Sequence, residues 1–336
     1  MKKTFKINNK TIGDDKETFI IAEAGINHGG DFKIAKKMVD KAAEIGADAI
    51  TFQHIDAQDY NLKPQDVEYW NKLRLRDSEI EFLISKAKKK SLISTACVIN
   101  QQDLDLIVNA GADFIKIVSG DITCHPFITS CALTDLPIFM SSGAANLEEV
   151  KSAVDVISKK GNEKIVIYHT CTNYPTPSDE VNLDIIDLFK REFEYPIGYC
   201  DHTSGYFVPL LAASKGICVL EKHLSLDVTK KGPDYEVSLE PNDFKKMRLR
   251  IKEINVIRGE QRKILLDSEK TNYLQRRRSI VSNKIISKGE TITEDDLTYK
   301  KPGYGIQGDH LNDILGKWTI KEIKKNEVIT KDMVES

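Results

Sequence analysis

Gly198-Tyr-Cys-Asp-His-Thr203 and Leu220-Glu-Lys-His223 are the two stretches that decide the fold. Each ends a short apolar run with a histidine, and a glycine turn with a helix-like segment at 208–214 separates them. This order predicts strand, helix, strand. In a parallel barrel the carboxyl ends of the strands form the face that carries the chemistry, so His202 and His223 are expected side by side at its mouth. Two neutral imidazoles there predict a divalent-metal site, although either histidine alone would be more typical of a polar loop.

The same order of apolar run, loop and helix recurs along most of the chain. Eight runs are predicted as strands, at residues 19–23, 49–53, 92–95, 114–118, 137–140, 165–168, 197–200 and 217–221. They are apolar throughout, which is typical of a parallel sheet covered on both faces. Eight strand–helix units over about 250 residues predict an α/β protein with a (β/α)8 TIM barrel. The long connection 55–77, with Tyr60, Tyr69 and Trp70, is predicted to be an insertion over the mouth.

The end of the chain contains an internal repeat. Ile286-Ser-Lys-Gly-Glu-Thr-Ile-Thr-Glu-Asp-Asp-Leu297 aligns with Ile323-Lys-Lys-Asn-Glu-Val-Ile-Thr-Lys-Asp-Met-Val334. Gly289 and Asn326 occupy equivalent positions, and both residue types tolerate a left-handed turn. We therefore predict a barrel domain, a basic linker and a small pseudo-symmetric domain, at residues 1–262, 263–279 and 280–336.

The composition argues against nucleic-acid and membrane partners. The net charge is −2 and charged residues make up 30% of the chain, with both signs interspersed, so no strongly basic surface is expected. The six cysteines show no Cys-x-x-Cys spacing, and the amino terminus has no apolar run of the kind found in secretion signals. These features predict reduced thiols and a cytoplasmic protein.

Lys116 is the most informative residue after the two histidines. It places a cation inside the otherwise apolar run Phe114-Ile-Lys-Ile-Val118, and a buried ammonium is costly unless it meets an anion. An ion pair with Glu23 or Asp121, a phosphate or carboxylate ligand, and a Schiff-base lysine all remain open. The loop Gly25-Ile-Asn-His-Gly-Gly30 does not match the dinucleotide fingerprint, so nicotinamide binding is rejected.

Seven motifs occur in a fixed order along the chain: Ile21-Ala-Glu-Ala-Gly-Ile-Asn-His-Gly-Gly-Asp31, Phe114-Ile-Lys-Ile-Val-Ser-Gly-Asp121, Cys171-Thr-Asn-Tyr-Pro-Thr-Pro177, Gly198-Tyr-Cys-Asp-His-Thr203, Leu220-Glu-Lys-His223, Gly232-Pro-Asp234 with Ser238-Leu-Glu-Pro241, and Lys300-Lys-Pro-Gly-Tyr-Gly305. In this order the chain resembles the sialic acid synthase family, which includes N-acetylneuraminate, legionaminate and pseudaminate synthases and spore-coat polysaccharide homologues. The resemblance covers nearly the whole chain. It implies that the tail is an antifreeze-like (SAF) domain with a β-clip fold.

The resemblance implies a condensation of phosphoenolpyruvate with the open-chain aldehyde of an N-acylated hexosamine, either ManNAc-like or a diacetamido sugar. The products would be a nine-carbon 2-keto-3-deoxy sugar acid and phosphate. His202 and His223 would hold Mn2+ or Mg2+, which polarises the aldehyde as a Lewis acid. A domain-swapped homodimer is also expected, in which the tail of one subunit covers the barrel mouth of its partner.

The same resemblance gives roles to the other candidate site residues. The phosphoenolpyruvate ligands would be Lys116, Ser119, Thr95 and Thr172. The sugar contacts would be Glu23, Gln53, Tyr174 and Asp234, with Lys301 supplied by the partner's tail. Asp121 stands where glutamate is usual and would handle the water that attacks the phosphate-bearing carbon. Catalysis is assigned to Glu23, Asp121 and Lys116.

Five further positions depart from the family pattern. Thr51 replaces a phosphate-binding lysine, Ala96-Cys97 replace Pro-Phe, Cys200 replaces serine, and Lys301 replaces an arginine. A lysine cannot copy the two-pronged hydrogen bonding of arginine. Because these changes fall on substrate contacts, two alternatives stay open: a sugar-binding paralogue without turnover, and a metal-dependent aldolase that uses pyruvate.

Overall fold

The chain folds into two compact units, residues 1–259 and 260–336. The structure is a computed structural model and describes residues 3–232 and 234–335. The first unit contains the predicted barrel and the second contains the predicted repeat. The domain borders at 262 and 279 stay a prediction.

A parallel sheet of eight strands forms the centre of the first unit. A short antiparallel hairpin, β1 (Phe5–Ile7) with β2 (Lys10–Ile12), precedes it. The eight strands are β3 (Phe19–Gly25), β4 (Ala49–Gln53), β5 (Ile93–Cys97), β6 (Ile115–Ile117), β7 (Ile138–Ser141), β8 (Ile165–His169), β9 (Ile197–Asp201) and β10 (Val219–His223). The order is β5-β4-β3-β10-β9-β8-β7-β6, and the two ends of the sheet lie against each other. The predicted TIM barrel is confirmed.

Helices follow the strands and cover the outside of the barrel. They are α1 (Phe32–Glu44), α2 (Ala57–Tyr60), α3 (Pro64–Leu73), α4 (Asp77–Lys89), α5 (Gln101–Asn109), α6 (His125–Leu133), α7 (Leu147–Lys159), α8 (Ile185–Glu192), α9 (Phe207–Ser214) and α10 (Pro241–Arg258). In α1 the Asp31 carboxylate caps the first turn, and buried residues from Ala35 to Ala42 recur at helical spacing. The predicted insertion at 55–77 contains α2 and α3.

Apolar side chains fill the amino-terminal end of the barrel. Phe19, Phe114 and Phe139 pack edge to face or tilted inside it, with ring centroids 4.5–6.4 Å apart. Ile7 and Ile12 of the β1–β2 hairpin join the same cluster. The polar strand residues are therefore concentrated at the opposite, carboxyl end.

The second unit is built from two related halves. It contains α11 (Lys270–Arg276) and an antiparallel pair, β11 (Ser279–Ser282) with β12 (Leu297–Lys300). Ile286 and Ile323, which are equivalent in the repeat, exchange two backbone hydrogen bonds of 2.9 Å. Gly289 and Asn326 both have the left-handed backbone, with φ of 83° and 67°. The predicted repeat is confirmed, and its symmetry axis passes between the two isoleucines.

Candidate active site

A cavity of about 320 Å3 lies at the carboxyl ends of the barrel strands. Eight predicted site residues line it together: Glu23, Gln53, Lys116, Ser119, Thr172, Tyr174, His202 and His223. The strand register explains this convergence. Lys222 of β10 lies opposite Asp201, the last residue of β9, so the next residue along the chain in each case, a histidine, emerges at the same height. A second cavity, of about 220 Å3, lies beside the β1–β2 hairpin and contains none of the predicted site residues.

The two histidines face each other across part of the cavity, with ring centroids 5.5 Å apart. His202 Nδ1 hydrogen bonds to the Cys171 carbonyl oxygen. Because a carbonyl oxygen only accepts, Nδ1 carries the proton and Nε2 keeps its lone pair. The Tyr174 hydroxyl lies 2.7 Å from that Nε2, and the phenol ring stacks on the imidazole.

Both imidazoles are held in the neutral form that binds metals. Burial lowers the pKa of His202 to about 3. Burial, together with the positive charges of its neighbours, also lowers the pKa of His223 well below its usual range. His223 Nδ1 is buried without a hydrogen-bond partner and lies 3.6 Å from the Asp234 carboxylate. Two neutral imidazoles, one with an orphaned nitrogen, fit a divalent cation.

A different group, His54 with Asp77 and Asp103, also has metal-ligand geometry, with ligand atoms within 4.8 Å of one another. Arg74 Nη2 lies 3.0 Å from His54 Nε2 and 2.9 Å from Asp103 Oδ1. A guanidinium therefore already supplies the positive charge that these groups attract. Arg74 also pairs with Asp56 at 3.0 Å. This network connects both ends of the insertion to the barrel wall.

Lys116 lies on the cavity floor between two carboxylates. Its Nζ is 2.7 Å from Glu23 Oε2 and also pairs with Glu221. Thr51 Oγ1 donates to the same Glu23 oxygen at 2.6 Å. Burial alone would lower the pKa of Lys116, but the surrounding negative groups raise it well above its usual range. Of the roles left open by the sequence, the ion pair with Glu23 is present, and the neutral amine that a Schiff base needs is disfavoured.

Glu221 is a buried partner of the Lys116 ammonium that the sequence analysis did not assign to the site. Burial raises its pKa, and the neighbouring Glu23 charge adds to this effect. The Cys200 thiol lies 3.2 Å from its Oε1. The sequence could have indicated this position, because Glu221 precedes His223 by two residues and strand residues two apart point to the same face of the sheet.

Three loops meet on one wall of the cavity. The Gly143 backbone N–H donates to Ser119 Oγ at 3.1 Å. A Cβ on Gly143 would lie 2.7 Å from both Ser119 Oγ and Thr172 Cγ2. Only a glycine fits at that point, and its small size brings the hydroxyls of Ser119 and Thr172 onto the same wall.

Family comparisons agree with this architecture. The model of the NeuB family matches residues 38–263, and the model of the SAF domain matches residues 277–335. The chain belongs to the NeuB family. Its carboxyl-terminal unit is a SAF domain, as predicted.

Relatives match along nearly the whole length of this NeuB-family chain. The N,N'-diacetyllegionaminic acid synthase of Campylobacter jejuni is 37% identical over 94% of this chain and 99% of its own length. An uncharacterised protein of Methanocaldococcus jannaschii is 34% identical over 96% of each chain. The crystal structure of the N-acetylneuraminic acid synthetase of Leptospira borgpetersenii, in complex with citrate, matches with a TM-score of 0.78 and 32% identity, over 81% of this chain and 95% of the other.

Four predicted site residues of the NeuB-family chain do not line the cavity. Thr95 is fully buried, and its hydroxyl lies 3.4 Å from the Ala96 carbonyl oxygen. Lys301 belongs to the second unit and is exposed. The other two, Asp234 and Asp121, lie next to lining residues.

Asp234 lies behind His223. Its Oδ2 accepts from the Ile26 backbone N–H at 3.2 Å, and burial raises its pKa to about 7. Gly25 allows this approach, because it has a φ of 49° and a Cβ there would collide with the Asp234 carboxylate.

Asp121 ends the 3-10 turn Ser119–Asp121, one residue beyond the cavity wall. Its Oδ2 is buried without a hydrogen-bond partner, and burial raises its pKa to about 6. The side chain is one methylene shorter than the glutamate usual in the family, which reduces its reach towards the cavity.

The insertion supplies lining residues that had no predicted role in binding. Ile55, Tyr60 and Trp70 all border the cavity. Tyr60 also approaches the Ser119 loop, since a Cβ on Gly120 would lie 3.1 Å from its hydroxyl. The expectation that the insertion lies over the mouth is therefore met by its aromatic side chains.

In the described part of the chain, no helix is both long and apolar enough to cross a membrane.

The raised pKa of Asp121 predicts a pH-dependent stability effect. The folded state favours the protonated carboxyl, so ionisation lowers the free energy of unfolding as the pH rises from about 4 through about 6. Asp121→Asn should therefore raise the melting temperature at pH 7.5 by about 1–3 °C, after allowance for solvent screening. The gain should be smaller at pH 4.5. Calorimetry at both values measures this, with the exposed Asp179→Asn as control. An equal gain at both pH values would contradict the assignment.

Proposed function

We propose that this NeuB-family chain condenses phosphoenolpyruvate with the aldehyde of an N-acylated amino sugar, ManNAc-like or diacetamido, to give a nine-carbon 2-keto-3-deoxy sugar acid and phosphate. The observation that carries the proposal is the convergence in one cavity of two neutral histidines, a protonated lysine and the hydroxyl groups of Ser119 and Thr172. The names of the similar proteins, synthases of N,N'-diacetyllegionaminic and N-acetylneuraminic acid, support it.

Phosphoenolpyruvate would occupy the side of the cavity near Lys116. Among the residues that line the cavity, within the described ranges, Lys116 is the one lysine or arginine. Ser119 and Thr172 add neutral hydrogen-bond donors from the adjoining wall. Because Glu23 and Glu221 share the Lys116 ammonium, a bound anion has to compete with them. The raised pKa of Glu221 favours its protonation and so reduces this competition.

The sugar aldehyde would lie near the histidines, where a divalent metal held by His202 and His223 would polarise the carbonyl. Once His202 Nε2 is a metal ligand, the Tyr174 hydroxyl is released from that nitrogen, and the phenol, which burial keeps protonated by raising its pKa well above the usual range, can donate to the same oxygen. The enol carbon of phosphoenolpyruvate then bonds to the aldehyde carbon, and the aldehyde oxygen takes a proton to become a hydroxyl group.

Water then adds to the phosphate-bearing carbon and gives up one proton, which leaves a hydroxyl group on that carbon. The hydroxyl loses its proton as the C=O bond of the ketone forms, and phosphate leaves with the electron pair of the broken carbon–oxygen bond and takes up that proton. Asp121 has a pKa of about 6, which is close to the value that a general base needs near neutral pH. Its unpartnered Oδ2 is free to accept a proton, directly or through a second water. Glu23, whose carboxylate already accepts from Thr51 and Lys116, is suited to hold the lysine and the sugar in place.

The first test measures phosphate release from phosphoenolpyruvate by Mn2+-loaded protein with a panel of N-acetylhexosamines and diacetamido sugars. Mass spectrometry should find one new nine-carbon acid for each phosphate released with one of the sugars. His202→Ala and His223→Ala should each lower turnover by about 100-fold or more while the protein stays folded, because each removes a metal ligand. The exposed His310→Ala is the matched control.

Full activity in either cavity-histidine variant would overturn the metal assignment. No phosphate release with any sugar would overturn the synthase proposal. Consumption of pyruvate in place of phosphoenolpyruvate would instead establish the aldolase alternative.

A sugar-binding paralogue is the second candidate, and Thr51 is the observation that favours it. The Thr51 hydroxyl donates to Glu23 at the position where the family usually has a phosphate-binding lysine. Thr51→Lys should raise phosphate release several-fold if the site is a weakened synthase, because it adds a second ammonium. Thr51→Met, of similar length and without charge, is the control. A rate that stays at zero in Thr51→Lys, with sugar still bound, would establish the binder.

We also propose a domain-swapped homodimer in which Lys301 of one subunit reaches the sugar in the partner's barrel. His202→Ala damages the barrel and Lys301→Glu damages the tail, so each variant alone should be nearly inactive. When the two are unfolded and refolded together, turnover should return to about a quarter of the wild-type value, because half of the dimers are mixed and each has one intact site. No recovery would show that each tail serves its own barrel or none. Wild-type turnover in Lys301→Glu alone would remove Lys301 from the site.

A further inference from the structure

A fully buried ion pair lies directly beside the two cavity histidines. Lys222 and Asp201 are opposite each other on β10 and β9, and both side chains are 0% exposed. Because strand residues alternate between faces, these two point away from the cavity while His202 and His223, one residue later, point into it. Neither residue lines the cavity, and the proposed chemistry uses neither.

The hydrogen bonds of Lys222 go to the residues on either side of His202 in sequence. Lys222 Nζ donates to the Asp201 carboxylate and to the Thr203 carbonyl oxygen, at 2.5 Å each. The Thr203 hydroxyl donates back to Asp201, 2.9 Å from Oδ1 and 3.1 Å from Oδ2. Lys222, which precedes His223, is thus hydrogen bonded to both Asp201 and Thr203, the two residues that flank His202 in sequence. We call Lys222, Asp201 and Thr203 the histidine bracket.

The backbone ladder does not fix this spacing by itself. Lys222 and Asp201 are the last register pair between β10 and β9, so His202 lies just past the end of that ladder. Other contacts of His202 come from the segment 171–176, where Thr176 N–H donates to its carbonyl oxygen, the Cys171 carbonyl accepts from its ring and the Tyr174 hydroxyl lies 2.7 Å from Nε2. The Cys200 thiol also lies 3.5 Å from Nε2. The histidine bracket is the charged link between the backbone that flanks His202 and the strand that carries His223.

Stability alone is a weak reason for such a pair. Removing two charges from water is costly, and apolar residues of similar volume often replace a buried ion pair without loss of stability. A pair that joins the supports of two metal-ligand candidates has a geometric reason to exist, since small shifts in such supports change metal affinity.

We propose that the histidine bracket is a positioning device that sets the separation of His202 and His223 for a shared divalent cation. Lys222, Asp201 and Thr203 are then positioning residues, and they act through the backbone of the two histidines. This inference rests on the metal assignment in the proposed function. It does not depend on which sugar is used, or on whether the chain turns over at all.

The test variant is Lys222→Met/Asp201→Leu, which removes both charges together and leaves an apolar pair. Mn2+ binding by the full-length protein is measured by calorimetry, and Co2+ absorption spectra report the ligand geometry. We expect the Mn2+ dissociation constant to rise about tenfold or more, with an altered Co2+ spectrum and a melting temperature close to that of the wild type.

Lys190→Met is the matched control. Lys190 also donates to two backbone carbonyl oxygens, those of Lys215 and Gly216, just before β10 begins and at the end away from the cavity. This variant makes the same lysine-to-methionine change away from the cavity, with no aspartate replaced, and should leave Mn2+ affinity and the Co2+ spectrum unchanged. Equal weakening of Mn2+ binding in Lys190→Met would show that loss of any such lysine contact lowers metal affinity through overall stability, and it would overturn the proposal.

Wild-type Mn2+ affinity in the double variant would also overturn the proposal, as would a wild-type protein that binds no Mn2+. If the double variant does not fold, Thr203→Val decides, because it removes only the hydroxyl of the bracket. About threefold weaker Mn2+ binding is then expected, and unchanged affinity overturns the idea. Mn2+ binding that weakens as expected, in a protein without turnover, would overturn the proposed reaction and support the bracket.

Discussion

The register of three neighbouring parallel strands sets the geometry on which the candidate site depends. His223 of β10 lies opposite Glu23 of β3, and Lys222 lies opposite Asp201 of β9. Glu23, His223 and His202 therefore reach the barrel mouth at nearly the same height, although they are far apart in sequence. A shift of one residue in either pairing would exchange the cavity face with the helix-packed face. The apolar packing of both faces makes that shift costly, so the same burial that stabilises the barrel also aligns the polar groups.

Charge is distributed unequally over the two faces of these strands. Inside the barrel, the Lys116 ammonium is shared by Glu23 and Glu221, and the excess negative charge is relieved by the raised pKa of Glu221. Outside, the pair of Lys222 and Asp201 is balanced and fully enclosed. Uncompensated burial of any one of these ions would cost several kcal/mol. The inner group borders the cavity, so the proposed anion would compete with Glu23 and Glu221 for Lys116, whereas the outer group does not border the cavity.

Patterns along the chain predicted the fold well because burial leaves a direct trace in sequence. Strands buried on both faces are continuous apolar runs, and Gly289 with Asn326 marked the two turns of the small domain. Contacts across the barrel leave no such trace. Glu221 reaches Lys116 from a distant strand, and Arg74 binds His54 and Asp103 from the insertion. Asp121 lies beyond the cavity wall because its side chain is short and follows a tight turn. Each of these depends on side-chain reach in three dimensions, which spacing does not encode.

The two-fold repeat of the carboxyl-terminal unit bears on how this module arose. Ile286 and Ile323 pair with each other across the axis, and the apolar side chains of each half pack against those of the other in one core. One half alone would expose that core to water. An ancestral peptide of half the length could therefore have been stable only as a self-associating pair, and tandem duplication would have joined the two copies. A glycine in one turn and an asparagine in the other keep the same left-handed backbone conformation.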